Sequence, residues 1–171
     1  MSINKRFLPL FFLANLILST TVLALEKDTS QPISIESNSG FYDDKKGVSI
    51  YTGEVVIIQG SMRLEADKLV VYLENREVQK MVATGTPVKF KQTPEEGKED
   101  VHGNSLTAEY YPETKVLIMM QEAVIWQGGN STASEKIVYN RTSEVLKAGS
   151  GKSANARVRV VLQPKNGENK Q

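Results

Sequence analysis

Along most of the chain, apolar and polar residues alternate one by one. Ser61-Met62-Arg63-Leu64-Glu65-Ala66, Val88-Lys89-Phe90-Lys91 and Arg157-Val158-Arg159-Val160 all follow this rule. A period of two sends successive side chains to opposite faces, so each run predicts a strand with one side in an apolar interior and the other in water. Turn-forming residues separate the runs: Asp43-Asp44-Lys45-Lys46-Gly47, Asn75-Arg76, Thr93 to Gly97, Pro112-Glu113-Thr114, Gly128-Gly129-Asn130 and Asn140-Arg141-Thr142. The pattern predicts an all-β fold of short antiparallel strands joined by hairpins. One stretch competes with it. Between Glu65 and Met81, Ala66, Leu69, Val70 and Leu73 stand at helical spacing behind Asp67, which suits a helix cap. Glu77 and Lys80 then fall where the apolar stripe would continue, Val70-Val71-Tyr72 favours extended backbone, and Asn75-Arg76 sits where a hairpin turns. The stretch reads as two strands.

The chain also repeats itself. With an offset of 68, Glu54-Val55-Val56-Ile57-Ile58-Gln59-Gly60 lies on Glu122-Ala123-Val124-Ile125-Trp126-Gln127-Gly128, and Ala66-Asp67-Lys68-Leu69 lies on Ser134-Glu135-Lys136-Ile137. A looser half-period sets Tyr51-Thr52-Gly53-Glu54-Val55-Val56 near Ala83-Thr84-Gly85-Thr86-Pro87-Val88. About four units of roughly 30 to 36 residues result, a period that indicates stacked units burying their apolar faces on neighbours. Stacking predicts one continuous apolar interior along the long axis, with free strand edges near Ile33 to Glu36 and at Ala156 to Leu162. If those two ends complement each other, the contact is heterologous and builds an open filament.

The two termini stand apart from this pattern. Lys5 and Arg6 precede a nearly continuous apolar run from Phe7 to Leu18, and Val22-Leu23-Ala24 offers small residues at the spacing a signal peptidase reads. Twelve helical residues cover roughly 18 Å of a bilayer core about 30 Å thick, so the segment reads as a secretory signal cleaved after Ala24. The expected organisation is a signal peptide at 1–24, one β-domain at 25–163, and a disordered tail at 164–171. Without the leader, Phe41 and Phe90 are the remaining phenylalanines, and packing must rest on aliphatic residues.

Composition narrows the chemistry. The 171 residues carry 21 Lys and Arg against 20 Asp and Glu, without the basic excess that holds a nucleic-acid backbone. There is no Cys and one His, His102, which removes disulfides, thiolate nucleophiles, Cys-based zinc sites and most His-centred acid/base chemistry. Gly151-Lys152-Ser153 lacks the earlier Gly of a phosphate loop, since position 146 is Leu, and a strand follows it instead of a helix. Glu95-Glu96 and Glu99-Asp100 read as a solvated turn around Lys98. Asn130 and Asn140 fit glycosylation sequons, yet each lies at a hairpin where Asn serves the turn. Trp126 and the tyrosines are spread through the repeats at strand positions, as packing residues would be. These readings predict a protein that is not an enzyme and carries no cofactor or metal.

Pro32-Ile33-Ser34-Ile35-Glu36-Ser37-Asn38, Tyr51-Thr52-Gly53-Glu54-Val55 and Gln59-Gly60-Ser61-Met62-Arg63-Leu64-Glu65-Ala66-Asp67-Lys68-Leu69 together resemble the OstA-like family. Gly85-Thr86-Pro87-Val88-Lys89-Phe90, Gly103-Asn104-Ser105 and Ser134-Glu135-Lys136-Ile137 extend the resemblance from about Pro32 to Leu162. Met120-Gln121-Glu122 departs from it, because the family usually has a Thr-Gly pair there. The resemblance implies a twisted, open β-jellyroll, periplasmic and exported, that carries the acyl chains of lipopolysaccharide (its lipid A moiety) in its interior during outer-membrane assembly. It also implies head-to-tail self-association, with LptC at the N-terminal edge and LptD at the C-terminal edge. Taken with the alternation, it assigns Ile33, Ile35, Val55, Ile57, Met62, Leu64, Phe90, Leu106, Ala108, Tyr110 and Ile118 to the groove, with Ile33, Ile35, Phe90 and Tyr110 at the family's lipid-contacting positions. Arg63, Lys89, Lys91, Arg157 and Arg159 then face outward. Two rivals remain at this point: a membrane-anchored, LptC-like jellyroll of the same pathway, and a secreted polysaccharide-binding β-repeat protein. The latter needs a row of exposed aromatics and a convergent acid pair.

Overall fold

The computed structural model describes residues 28–94, 97–149 and 157–164. The leader, the tail from 165, Glu95-Glu96 and Gly151-Lys152-Ser153 lie outside the described residues. A short 3-10 turn, Asp28–Ser30, is followed by ten strands: β1 Ser34–Glu36, β2 Ser39–Asp43, β3 Val48–Gln59, β4 Met62–Glu74, β5 Glu77–Gln92, β6 Val101–Tyr111, β7 Val116–Gln127, β8 Asn130–Asn140, β9 Val145–Ala148 and β10 Arg159–Val161. All pairings are antiparallel, and the stretch that resembled a helix is the β4–β5 hairpin turning at Asn75-Arg76.

The strands are longer than the sequence pattern suggests because each central one contains a bend. The register shifts between Thr52 and Val55 on β3, Glu65 and Lys68 on β4, Thr84 and Val88 on β5, Asn104 and Thr107 on β6, and Met120 and Ala123 on β7. Bulges bend a strand and consume residues from the alternation. On β4 the buried positions run Met62, Leu64, Ala66 and then Leu69, Val71; on β5 they run Met81, Ala83 and then Val88, Phe90. The inward phase therefore flips at the bulge. Lying side by side, the bulges form a crease that divides one sheet into two leaves. One leaf runs β1-β3-β4-β5-β6-β7-β8-β10. The other runs β2-β3-β4-β5-β6-β7-β8-β9.

The 68-residue repeat is a repeat of this crease. Left-handed backbone recurs at Gly47 and Lys115, Gly53 and Gln121, Glu54 and Glu122, and Gly60 and Gly128. Gln121, with φ 63°, thus occupies the position that Gly53 fills in the first repeat, so Met120-Gln121-Glu122 keeps the bend without the glycine. The two leaves fold toward each other and bury Val55, Leu64, Leu69, Met81, Phe90, Met119 and Ile137 between them. Among the described residues the sheet does not close: its first edge is β1 with β2, and its last is β9 with β10.

Candidate functional site

The interior is built from two facing rows of side chains. In the first leaf, register places Ile35 beside Ile57, then Leu64, Phe90, Gly103, Ile125, Thr132 and Val160, one residue from each strand across the whole stack. In the second, Ser49, Val71, Met81, Tyr110, Leu117, Tyr139 and Leu146 form the matching row. The rows meet: Phe90 and Tyr139 pack edge to face with ring centroids 6.0 Å apart. A Cβ on Gly103 would stand 2.8 Å from the Met119 sulfur of the other leaf, so glycine there permits the close approach.

Of the groove residues expected from sequence, Val55, Ile57, Met62, Leu64, Phe90, Ala108 and Tyr110 are buried between the leaves, and Ile33 and Ile35 pack against them half-buried. Two do not join them. Leu106 sits in the bulge between the buried Ser105 and Ala108, and is half-buried. Ile118 alternates with the buried Leu117 and Met119 and so points from the opposite face. Alternation carried back from Ala108 and Tyr110 sets Leu106 inward, and the crease interrupts that phase on β6; on β7 the inward positions Leu117, Met119, Ala123 and Ile125 keep one phase throughout, and Ile118 lies on the other face. The continuous channel expected from stacking is a packed core, because the leaves close on each other and apolar contact removes both faces from water.

Sequence reasoning missed what holds the leaves together opposite the crease. Arg141, in the turn after β8, has a fully buried side chain. Its Nε donates to Gln92 Oε1 at 3.0 Å, and Nη1 donates to Gln59 Oε1 and to the Tyr110 hydroxyl, each at 2.7 Å. Nη2 reaches Asp28 Oδ2 at 3.0 Å. Gln59 and Gln92 belong to the first leaf, and Tyr110 to the second. Gln59 also donates to the carbonyls of Thr29 and Gln31, while Asp28 accepts the Ser61 amide. The guanidinium thus ties both leaves and the N-terminal turn in one polar knot. Burial raises the Tyr110 pKa, with Arg141 opposing. A second tie, Lys98 to Glu144 at 3.4 Å, crosses the same seam at the surface.

The outward face carries Arg63, Lys89 and Lys91 as expected, each matched to a carboxylate: Arg63 and Lys89 to Glu65, and Lys91 to Asp100. Such exposed pairs contribute little to stability. Arg157 and Arg159 are exposed. His102 stacks on Trp126. Asn140 serves its turn, accepting the amides of Thr142 and Ser143.

Toward the last edge lies a cavity of about 200 Å³ with a mixed lining: Val101, Ile125, Leu146 and Leu162, the rings of Trp126 and Tyr139, and the polar Gln127, Asn130, Ser131, Thr132 and Glu144. None of the eleven expected groove residues lines it. Both edges are apolar: Phe41 and Tyr42 are exposed on β2, and Val145, Val160, Val161 and Leu162 on and beside β9 and β10. No helix among the described residues is long and apolar enough to cross a membrane.

Residues 34–145 match the family model described as LptA/(LptD N-terminal domain) LPS transport protein. The lipopolysaccharide export system protein LptH of Pseudomonas aeruginosa is 32% identical over 165 residues, covering 92% of this chain and 94% of that one. The lipopolysaccharide export system protein LptA of Haemophilus influenzae is 34% identical over 160 residues, covering 91% of each, and that of Escherichia coli K12 is 31% identical over 159 residues, covering 88% and 84%. The crystal structure of P. aeruginosa LptH, titled the LptA homologous periplasmic component of a conserved lipopolysaccharide transport device, superposes with a TM-score of 0.75 at 29% identity. That match covers 81% of this chain and all of the other.

Proposed function

The chain belongs to the LptA/(LptD N-terminal domain) family of LPS transport proteins, and from that premise we propose that it is a periplasmic bridge that carries lipopolysaccharide by shielding its acyl chains between the two leaves. The observation that carries this reading is the first-leaf row from Ile35 to Val160. It crosses every strand of the leaf, from the half-buried Ile35 on β1 to the exposed Val160 on β10, and neither of these end strands has a second partner among the described residues. An acyl chain in water loses about 0.8 kcal/mol per exposed CH₂, so a dozen carbons amount to roughly 10 kcal/mol. A row continued from one jellyroll to the next removes that penalty along the whole path.

Both edges are built for strand addition, in which backbone hydrogen bonds extend the sheet and exposed apolar side chains are covered. A second copy adds head to tail, with LptC at the β1–β2 edge and LptD at the β9–β10 edge. The chain contributes no catalytic step; an ATPase elsewhere in the assembly supplies the work. A leader cleaved after Ala24 delivers it to the periplasm. Because side chains fill the space between the leaves, cargo enters at the cavity by the last edge.

Equilibrium binding of the purified chain to intact lipopolysaccharide and to its delipidated core oligosaccharide tests the reading. Binding of the intact molecule alone supports the interior route. Equal binding of both overturns it in favour of a saccharide-binding surface.

A further inference from the structure

The two free edges of the sheet match each other residue by residue. Each leaf has eight strands among the described residues, all paired antiparallel, so when copies repeat along the stack the last strand of one runs opposite to the first strand of the next. The hydrogen-bond phase agrees. Gln59 pairs with Met62 around the two-residue turn Gly60-Ser61, and Gln127 with Asn130 around Gly128-Gly129; a pair that closes such a turn is hydrogen-bonded. Alternation then makes Ile57–Leu64 and Ile125–Thr132 bonded pairs, so Ile57 and Thr132 turn no backbone groups toward Ile35 and Val160. Ile35 and Val160 aim their own N–H and C=O groups at the open edges. The Gln163 amide, at the opposite phase to Val160, donates inward to Asn130 Oδ1 at 2.9 Å.

We infer that Arg159 of one copy and Glu36 of the next form a cross-strand ion pair that sets the register of the junction. The inference rests on the proposed head-to-tail addition and adds the residues that fix how the two edges align. Continuing the inner row across the junction places Val160 against Ile35 as a hydrogen-bonded pair. Beside it, Arg159 ends the outer row that Glu36 begins, so the same step sets these two against each other. They form a non-hydrogen-bonded pair, the kind whose side chains stand closest. Both are exposed, and neither has an ion-pair partner among the described residues. The second leaf gives the same answer: the step sets Leu146 beside Tyr42 on the inner face and Lys147 beside the exposed Phe41 ring on the outer face. A slip of one residue would turn Val160 outward and break the inner row. A slip of two, with Glu36 against Arg157, would set Leu162 against the polar Gln31 instead of Ile33.

Two measurements on the full chain test the pair. In sedimentation experiments, Glu36→Arg and Arg159→Glu, each of which sets like charges face to face, are expected to weaken self-association about three- to tenfold, and the double variant to return to within about twofold of the native chain. Disulfide trapping then reads the register directly, because the chain contains no cysteine. Cα atoms of a non-hydrogen-bonded pair lie about 4.5 Å apart, within disulfide reach. Glu36→Cys mixed with Arg159→Cys is expected to give a linked dimer on oxidation, and Glu36→Cys mixed with Arg157→Cys at least about fivefold less. Single reversals without effect, a double variant as weak as the singles, or preferred linkage through Arg157→Cys overturns the inference and leaves head-to-tail addition standing. A native chain that does not self-associate overturns both.

Discussion

Arg141 and Asp28 stand 113 residues apart in sequence and meet at 3.0 Å, the guanidinium fully buried and the carboxylate partly so. The contact joins the turn after β8 to the 3-10 turn that precedes β1, and so ties nearly the whole length of the domain. Removing one member of such a network leaves the others unpaired. Arg141→Met is expected to lower unfolding free energy by about 3 kcal/mol or more, because Gln59, Gln92 and Tyr110 lose a shared donor in a dry site. Asp28→Asn, at the wetter end, is expected to lower it by only about 1 kcal/mol. Urea denaturation followed by circular dichroism checks both, and equal losses would contradict a knot centred on the guanidinium.

The crease predicts opposite outcomes for paired positions. Gln121 holds φ 63° where the first repeat has Gly53 at φ 80°. Gln121→Gly relieves a left-handed backbone and is expected to stabilise the domain by about 0.5–1 kcal/mol. Gly53→Ala imposes that backbone on a Cβ and drives it to 2.9 Å from the Asn38 side chain, with an expected loss of about 1–2 kcal/mol. Thermal melts of the two variants measure the contrast, and melts shifted the same way would refute it.

The same crease explains how far the sequence could be read. Alternation revealed the strands, and Asn75-Arg76 and Gly128-Gly129 marked their hairpins, because both signals are local. The offset of 68 exposed the stacking, since Gly60 and Gly128 end equivalent strands. What alternation cannot carry is its own phase through a bulge. Ala66 and Leu69 appear three apart, as on a helix, because the bulge at Asp67 consumes one residue. Leu106 is misplaced for the same reason, whereas Ile118 is misplaced by the β6–β7 hairpin, which pairs Tyr110 with Leu117 and across which alternation carries no phase. Gln59 and Gln92 were legible in principle: each continues the inward phase of Ile57 and Phe90, and a polar residue on an inward position signals a buried partner. Arg141 gave no such sign, because a cation in a turn is ordinarily solvated and its partners come from four distant segments.

Alkaline pH tests the buried tyrosines. Burial holds Tyr110 and Tyr139 above the ordinary value of 10.0. Below about pH 10 the folded and unfolded chains are both protonated at these groups; above it the unfolded chain releases protons that the folded chain retains, so stability falls as pH rises. Urea midpoints between about pH 8 and 11 are expected to decline, and Tyr139→Phe is expected to decline less steeply. An unchanged slope in that variant would count against a desolvated hydroxyl.

Edge pairing predicts assembly. Val160 and Val161 are exposed on β10, while Phe41 and Tyr42 are exposed on β2 at the other end. A heterologous contact between such ends lengthens without closing. Sedimentation velocity is expected to show concentration-dependent growth of the native chain, and Val160→Asp, which sets a charge among those apolar side chains, is expected to hold it as a monomer. Equal growth of the variant would place the contact elsewhere.

The most direct measurement is site-specific photo-crosslinking with lipopolysaccharide, with the reactive side chain at Ile35 or Phe90 on the inner row and at Arg63 on the outer face. The account predicts adducts from both inner positions and none above background from Arg63. Equal labelling at all three positions, or labelling at Arg63 alone, would contradict an acyl path between the leaves.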